Sequence, residues 1–152
     1  MASENFAFNI SKARIGEYYD NVEANSPSGC EIVLIPLTTG GSEAQGRDFD
    51  DVAAVLGDAN FTEAGVAWGR KDQVAADLAT PAKSGNTFPL AVPAETWATV
   101  ASSNDTTGLL IAYDPTGASA DSALIPLTHH IFNVTTDGND VVLNAGNFVI
   151  HS

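Results

Sequence analysis

The sequence predicts an α+β fold that is β-rich: two short N-terminal helices followed by an antiparallel β-sandwich or barrel. Three observations predict it. Residues 15, 18, 19 and 22 (Ile15, Tyr18, Tyr19, Val22) are apolar at the spacing of one helix face. Residues 32–37 form a short continuous apolar run of the kind found in a strand covered on both sides. After Phe61 the chain becomes a series of short apolar runs separated by turn residues, which is how antiparallel sheets read in sequence. We divide the chain into an N-terminal arm, residues 1–10, and a single β-rich domain, residues 11–152.

In the arm, Phe6, Phe8 and Ile10 alternate with Asn5, Ala7 and Asn9. Such a segment can add to a sheet edge, its own or a partner's, with backbone bonds giving affinity and alternate side chains giving specificity. Ser11 or Asn9 is placed to cap the first helix, and the Pro27 and Gly29 neighbourhood ends it. Residues 38–46 read as a small polar loop. The second helix carries Asp48, Asp50 and Asp51 in its first turn, where they complement the helix dipole, with Phe49, Val52, Ala53 and Leu56 as its buried stripe and Gly57 as its stop.

Residues 64–68 and, more weakly, 74–78 are the next strand candidates. Phe88, Leu90 and Val92 alternate, but Pro89 and Pro93 confine them to a sheet edge. Trp97 is a large core anchor. From Gly108 onward the runs 109–113, 124–128, 131–135, 141–143 and 148–150, reversed at Asp114-Pro115-Thr116-Gly117, Asp137-Gly138-Asn139-Asp140 and Asn144-Ala145-Gly146, read as an antiparallel meander. Its buried members are expected to include Leu110, Ile125, Phe132, Val134 and Phe148 together with Trp97. The pentapeptide Leu-Ile-Pro-Leu-Thr occurs twice, at 34–38 and 124–128, and could mark two equivalent edge strands.

Length and apolar content suit one domain with a substantial core: 152 residues, 44% apolar. Charge is the outlier. Six Lys and Arg face nineteen Asp and Glu, for a net charge of −13. A surface this acidic repels phosphate backbones and anionic lipid, so neither nucleic acid nor a membrane is an expected partner. Cys30 is the lone cysteine and reads as a small buried residue rather than a reactive thiol. The N-terminus shows no basic region leading into an apolar segment, so no export signal is expected.

The residues give no catalytic, metal or cofactor assignment. His129 and His130 are adjacent, and neighbouring side chains on a strand point to opposite faces, so they cannot share a metal without distortion. The acidic clusters lack the central Gly and terminal Glu of a calcium loop. Gly40-Gly41 lacks the Lys and Ser/Thr of a phosphate-binding loop, and no nucleophile elbow occurs. The basic residues Lys12, Arg14, Arg70 and Lys71 stand out against the acidic background. Each reads either as part of a solvated face or as an electrostatic contact to an acidic partner or a second copy.

One resemblance runs through these residues. The series 47–56 (RDFDDVAAVL), Thr62-Glu63-Ala64, Gly69-Arg70-Lys71, 92–97 (VPAETW), 109–115 (LLIAYDP), 125–132 (IPLTHHIF) and 135–138 (TTDG) resembles a group of small virion proteins of tailed bacteriophages. It covers most of the chain after residue 45. The resemblance implies a non-catalytic structural part of the phage particle, located in the virion after synthesis in the host cytoplasm. A capsid decoration or cement protein bound to the head lattice is the first expectation. Its partners would be the major capsid protein or other virion proteins, with association between copies. The alternative is a fibre-like accessory of tail or head, or a carbohydrate- or host-surface-binding β-domain, with Trp68, Trp97, Tyr18 and Tyr19 as a stacking platform. For the first reading the expected partner contacts are Phe6, Phe8, Ile10, Lys12, Arg14, Arg70 and Lys71.

Overall fold

The computed structural model describes residues 3–78 and 87–151. In chain order the elements are β1 (Phe6–Ala7), α1 (Ile15–Glu23), β2 (Glu31–Thr39), α2 (Glu43–Gly46), α3 (Val52–Gly57), β3 (Thr62–Glu63), β4 (Lys71–Gln73), β5 (Thr87–Val92), β6 (Glu95–Trp97), β7 (Thr106–Asp114), β8 (Ile125–Val134), β9 (Val141–Leu143) and β10 (Gly146–His151). Single 3-10 turns lie at Gly65–Ala67 and Asp121–Ala123. The fold is α+β and β-rich, with antiparallel sheets and few helices, as the residue patterns predict.

The main sheet runs β1-β8-β7-β2-β3, with β4 pairing β2 beside β3. β2 lies inside it and is apolar from residue 32 to 37 because both its faces are covered. Ile32 and Leu34, with Leu109, Ile111 and Tyr113 of β7, face one core cluster, closed by Ile15, Tyr18, Tyr19 and Val22 of α1. Val33, Ile35 and Leu37, with Leu110 and Ala112, face the other, closed by Val52 and Val55 of α3 and by Phe6, Phe8 and Phe61. The period of two along a strand sorts these residues between two cores, and helix periodicity presents the matching stripes. A third cluster joins Trp68, Trp97 and Val100 to Phe132 and Val134.

Proline in an interior strand requires that its missing N–H lie where no ladder bond is needed. The carbonyl of Pro36 accepts from Ala64 N at 2.9 Å, so its nitrogen faces the same side, in the gap between β4, which ends its pairing at Leu34, and β3, which begins at Leu37. Pro126 sits opposite Ala112, where the β7–β8 register shifts. The two Leu-Ile-Pro-Leu-Thr copies therefore flank β7 on opposite sides, but β2 is interior rather than an edge.

Several expectations are corrected. Neither Ser11 nor Asn9 caps α1. Arg14 occupies the cap position without a side-chain bond, while the buried Ser11 hydroxyl donates toward the carbonyls of Phe8 and Leu127, both at 3.0 Å, and Asn9 bonds Asp48. The polar loop at 38–46 contains the one-turn α2. The second helix begins later than expected, with Asp51 as its cap accepting from Ala54 N at 2.7 Å. Its buried face is Val52 and Val55, Ala53 being exposed. Residues 64–68 are not a strand: Gly65 and Gly69 adopt φ of +67° and +69°, conformations that break an extended run. Trp68 turns inward while Val66 protrudes. Residues 74–78 form a turn closed by Asp77 N on the Val74 carbonyl, 2.9 Å.

The C-terminal half is also not a single meander. β9 pairs with β6 and β10 with β5, so two ribbons separate from the main sheet. Of the expected core, Trp97 and Leu110 are buried, but Ile125, Phe132 and Val134 are half-buried. The Phe148 side chain lies outside the described residues, as do those of Phe88 and Leu90. No helix among the described residues is long and apolar enough to cross a membrane.

Candidate functional site

The expected docking arm is a strand of this domain's own sheet. β1 pairs with β8 through Phe6 opposite His129 and Ala7 opposite Thr128. Phe6 and Phe8 are 7% and 0% exposed, their rings 5.0 Å apart inside the second core cluster. Those two side chains are therefore not available to a partner, and of the three arm positions only Ile10 is exposed. The same apolar alternation serves either kind of sheet edge, and here the nearest edge, β8, takes it.

Three of the four expected basic contacts, Lys12, Arg14 and Arg70, are engaged by carboxylates of the same chain. Lys12 lies 3.7 Å from Glu43, and Arg14 2.8 Å from Glu17 with its guanidinium over the Tyr18 ring. Arg70 holds two carboxylates at once: Glu63 at 2.8 and 2.7 Å and Asp121 at 2.6 and 3.1 Å. Bidentate geometry of this kind is specific to arginine. It ties β3 to the turn before β8, a folding role that the isolated basic pair Arg70-Lys71 did not announce. Lys71 stands half-buried on β4 opposite Leu34.

The four aromatics of the stacking platform are buried. Trp68 and Trp97 meet edge-on at 5.4 Å, and their indole N–H groups donate to the carbonyls of Asn104 and Gly69. Tyr18 stacks on Tyr113 at 4.6 Å. Tyr19 is 3% exposed beneath α1.

Two places remain where polar chemistry concentrates. The first is an open recess of about 510 Å³ beside the end of β2, the start of β7 and the last part of β8, lined by Ser3, Thr38, Thr39, Gly40, Thr107, Ile131 and Asn133. Its walls are hydroxyls, an amide and one exposed isoleucine, a lining suited to a neutral polar group. Thr107 braces it, accepting from Gly40 N at 2.9 Å and donating to the Thr38 carbonyl at 3.1 Å. His129 lies below Gly40, and His130 points to the other face of β8, where Nε2 lies 2.9 Å from the Thr128 hydroxyl. The two imidazoles thus diverge as strand geometry requires. Among the described residues no group of three His, Cys, Asp or Glu side chains is placed to hold a metal ion.

The second place is the far end of β2. Glu31 stands opposite Asp114 and near Asp72, and its carboxyl is pushed up to about 7 by burial first and by those two negative charges next. Asp114 differs because its partners are donors. Burial pushes it up, but Ser119 Oγ at 2.6 Å and the backbone N–H groups of Thr116, Gly117 and Ser119 together hold it below the ordinary range. A carboxyl whose folded pKa is raised binds its proton more tightly in the native state. Ionising it weakens the fold as pH rises from about 4.5 to about 7, with no further loss above. The full shift corresponds to about 3 kcal/mol, and solvent screening of a half-buried group reduces this to about 1–2 kcal/mol. Glu31→Gln is therefore expected to stabilise the domain by about 1–2 kcal/mol at pH 8 and to change nothing at pH 4. Urea midpoints at the two pH values check it, and equal effects at both would refute the assignment.

Comparison with protein-family models, with curated proteins and with solved structures finds no match to this chain.

Proposed function

We propose that the chain is a non-catalytic structural protein of a tailed-bacteriophage particle, a head decoration or cement protein docked on the capsid lattice. One observation carries the reading: the residues behind the resemblance hold the fold together. Asp51 caps α3, Arg70 clamps two carboxylates, and Trp97 centres the third cluster. Asp114 organises a tight turn, and His129 is fully buried. Residues with such roles suit a protein whose product is a stable surface.

Charge adds the partner's chemistry. With Lys12, Arg14, Arg47 and Arg70 in internal ion pairs, the net charge of −13 is displayed outward, which favours a lattice face rich in Lys and Arg. The major capsid protein or another virion protein is the proposed partner, and association between copies is part of the proposal. The host-surface alternative loses its stacking platform, since Trp68, Trp97, Tyr18 and Tyr19 all lie in the core.

Quantitative mass spectrometry of purified particles encoded together with this chain tests the reading. A head decoration protein is expected at hundreds of copies per particle, scaling with the major capsid protein. A handful of copies would instead favour a fibre-like accessory. Absence from washed particles would overturn the virion assignment altogether.

A further inference from the structure

His129 is 0% exposed and packs on Phe6 and Phe61 of the second core cluster. Its ring stacks on Phe6 at 5.1 Å and meets Phe61 edge-on at 5.6 Å. Space for it exists because residues 40 and 108 are glycine. A Cβ at Gly40 would stand 2.6 Å from Nε2 and one at Gly108 2.5 Å, closer than real side chains approach. Nδ1 lies 2.7 Å from the carbonyl oxygen of Glu4. A carbonyl only accepts, so Nδ1 carries the hydrogen. Nε2 has no hydrogen-bond partner and neither does the buried hydroxyl of Ser3, which also lies near the Gly40 position. The ring is thus a neutral imidazole whose bare lone pair faces Gly40 and Gly108, with only the uncharged Ser3 hydroxyl near the Gly40 position.

That ring is a fastener for the N-terminal strand. It acts beside other ties: Phe6 and Ala7 pair with His129 and Thr128, the Phe6 and Phe8 rings are buried in the second cluster, Glu4 N donates to the Gly41 carbonyl, Glu43 N to the Glu4 carboxylate, Ile131 N to Asn5 Oδ1, and Phe8 N to the Leu127 carbonyl. A second proton on the ring would place a charge where none of the described residues packed against it is a counterion. From the N-terminal segment comes Glu4, whose carboxylate is turned to Glu43 N. Its neighbour on β8 is His130, which points to the other face and, lowered to about 4 by burial, is neutral in this range. From β7 and the loop after β2 come Gly108 and Gly40, and Phe61 brings a ring.

We propose that His129 is an acid-sensitive latch, whose protonation releases residues 3–8 from β8 while the rest of the main sheet persists. Burial holds the imidazole below its ordinary value despite the Glu4 hydrogen bond. For a histidine so lowered, the latched state is fully favoured above the ordinary value near 6.5, and the preference is lost as pH falls below it. Within that window each pH unit raises the released population by up to about tenfold. Release would uncover Phe6, Phe8 and the β8 edge, an apolar strand edge able to pair with another chain.

Hydrogen exchange of the full chain, corrected for intrinsic rates, at about pH 5 and pH 7.5 tests the latch. Protection of residues 3–8 is expected to fall about tenfold or more at the lower pH, with β2 and β7 unchanged. In His129→Asn, whose amide nitrogen can take the place of Nδ1 without titrating, the pH effect should vanish. Should that variant not fold, imidazole nitrogen resonances of the unmodified protein give the same answer: His129 should titrate below 6.5 at the midpoint where the amides of residues 3–8 change. Equal protection at both pH values, a parallel loss in β2 and β7, an unaltered effect in the Asn variant, or unmatched midpoints would each overturn the proposal.

Discussion

Replacing Phe8 with Ala is expected to lower the stability of the domain by about 3–5 kcal/mol, and deleting residues 2–9 to lower it further while the rest of the main sheet still folds. Phe8 is fully buried and Phe6 nearly so, and both belong to the cluster that covers Val33, Ile35 and Leu37. Truncating one such ring removes its transfer free energy and leaves a cavity that close-packed neighbours cannot fill. Deleting the arm removes both rings at once, together with the Glu4 carbonyl that holds His129 and the Phe8 bond to Leu127. The sum is a large part of the stability of an ordinary domain, about 5–15 kcal/mol, so the truncated main sheet is expected to be folded but marginal. Thermal and urea unfolding of the two variants measure the effect. A truncated chain that melts where the full one does would show that the arm is dispensable to the fold and return it to the role of a docking element.

Trp97→Ala is expected to destabilise by a similar amount, about 3–5 kcal/mol. The indole is 1% exposed, lies between Trp68 and Phe132 at 5.4 and 6.0 Å, and donates to the Gly69 carbonyl at 3.0 Å. Truncation opens the third cluster and leaves that carbonyl without its donor, adding a desolvation penalty to the cavity. Trp97→Phe keeps most of the ring packing and loses the bond, so it should fall well short of the Ala variant. Chemical denaturation of both variants separates the two terms. If Trp97→Ala unfolded at the same urea concentration as the parent, the third cluster would not belong to the cooperative unit. Phe132, which packs on the same indoles but is only half-buried, should respond less than a fully buried ring.

Pattern that repeats within one element was legible from residue types alone. The face of α1 is Ile15, Tyr18, Tyr19 and Val22, as their spacing predicts, because a helix fixes which of its own residues are neighbours. The run at 32–37 proved to be a strand covered on both faces, since only burial on both sides tolerates unbroken apolar sequence. The divergence of His129 and His130 follows from the pleat.

What depends on which elements meet was decided by the tertiary structure. Phe6 and Phe8 carry the same alternation whether the edge they join is their own β8 or a neighbour's, so the pattern alone could not place them. Arg70 reads as a free cation until folding brings Asp121, fifty-one positions away, to its other side. Gly40 and Gly108 look like loop punctuation and are in fact the room left for one imidazole. β9 and β10 are short apolar runs set between turns as in any meander, yet they pair with β6 and β5. Strand pairing is a long-range choice among edges with similar local patterns, and only the packing of three cores at once selects one of them.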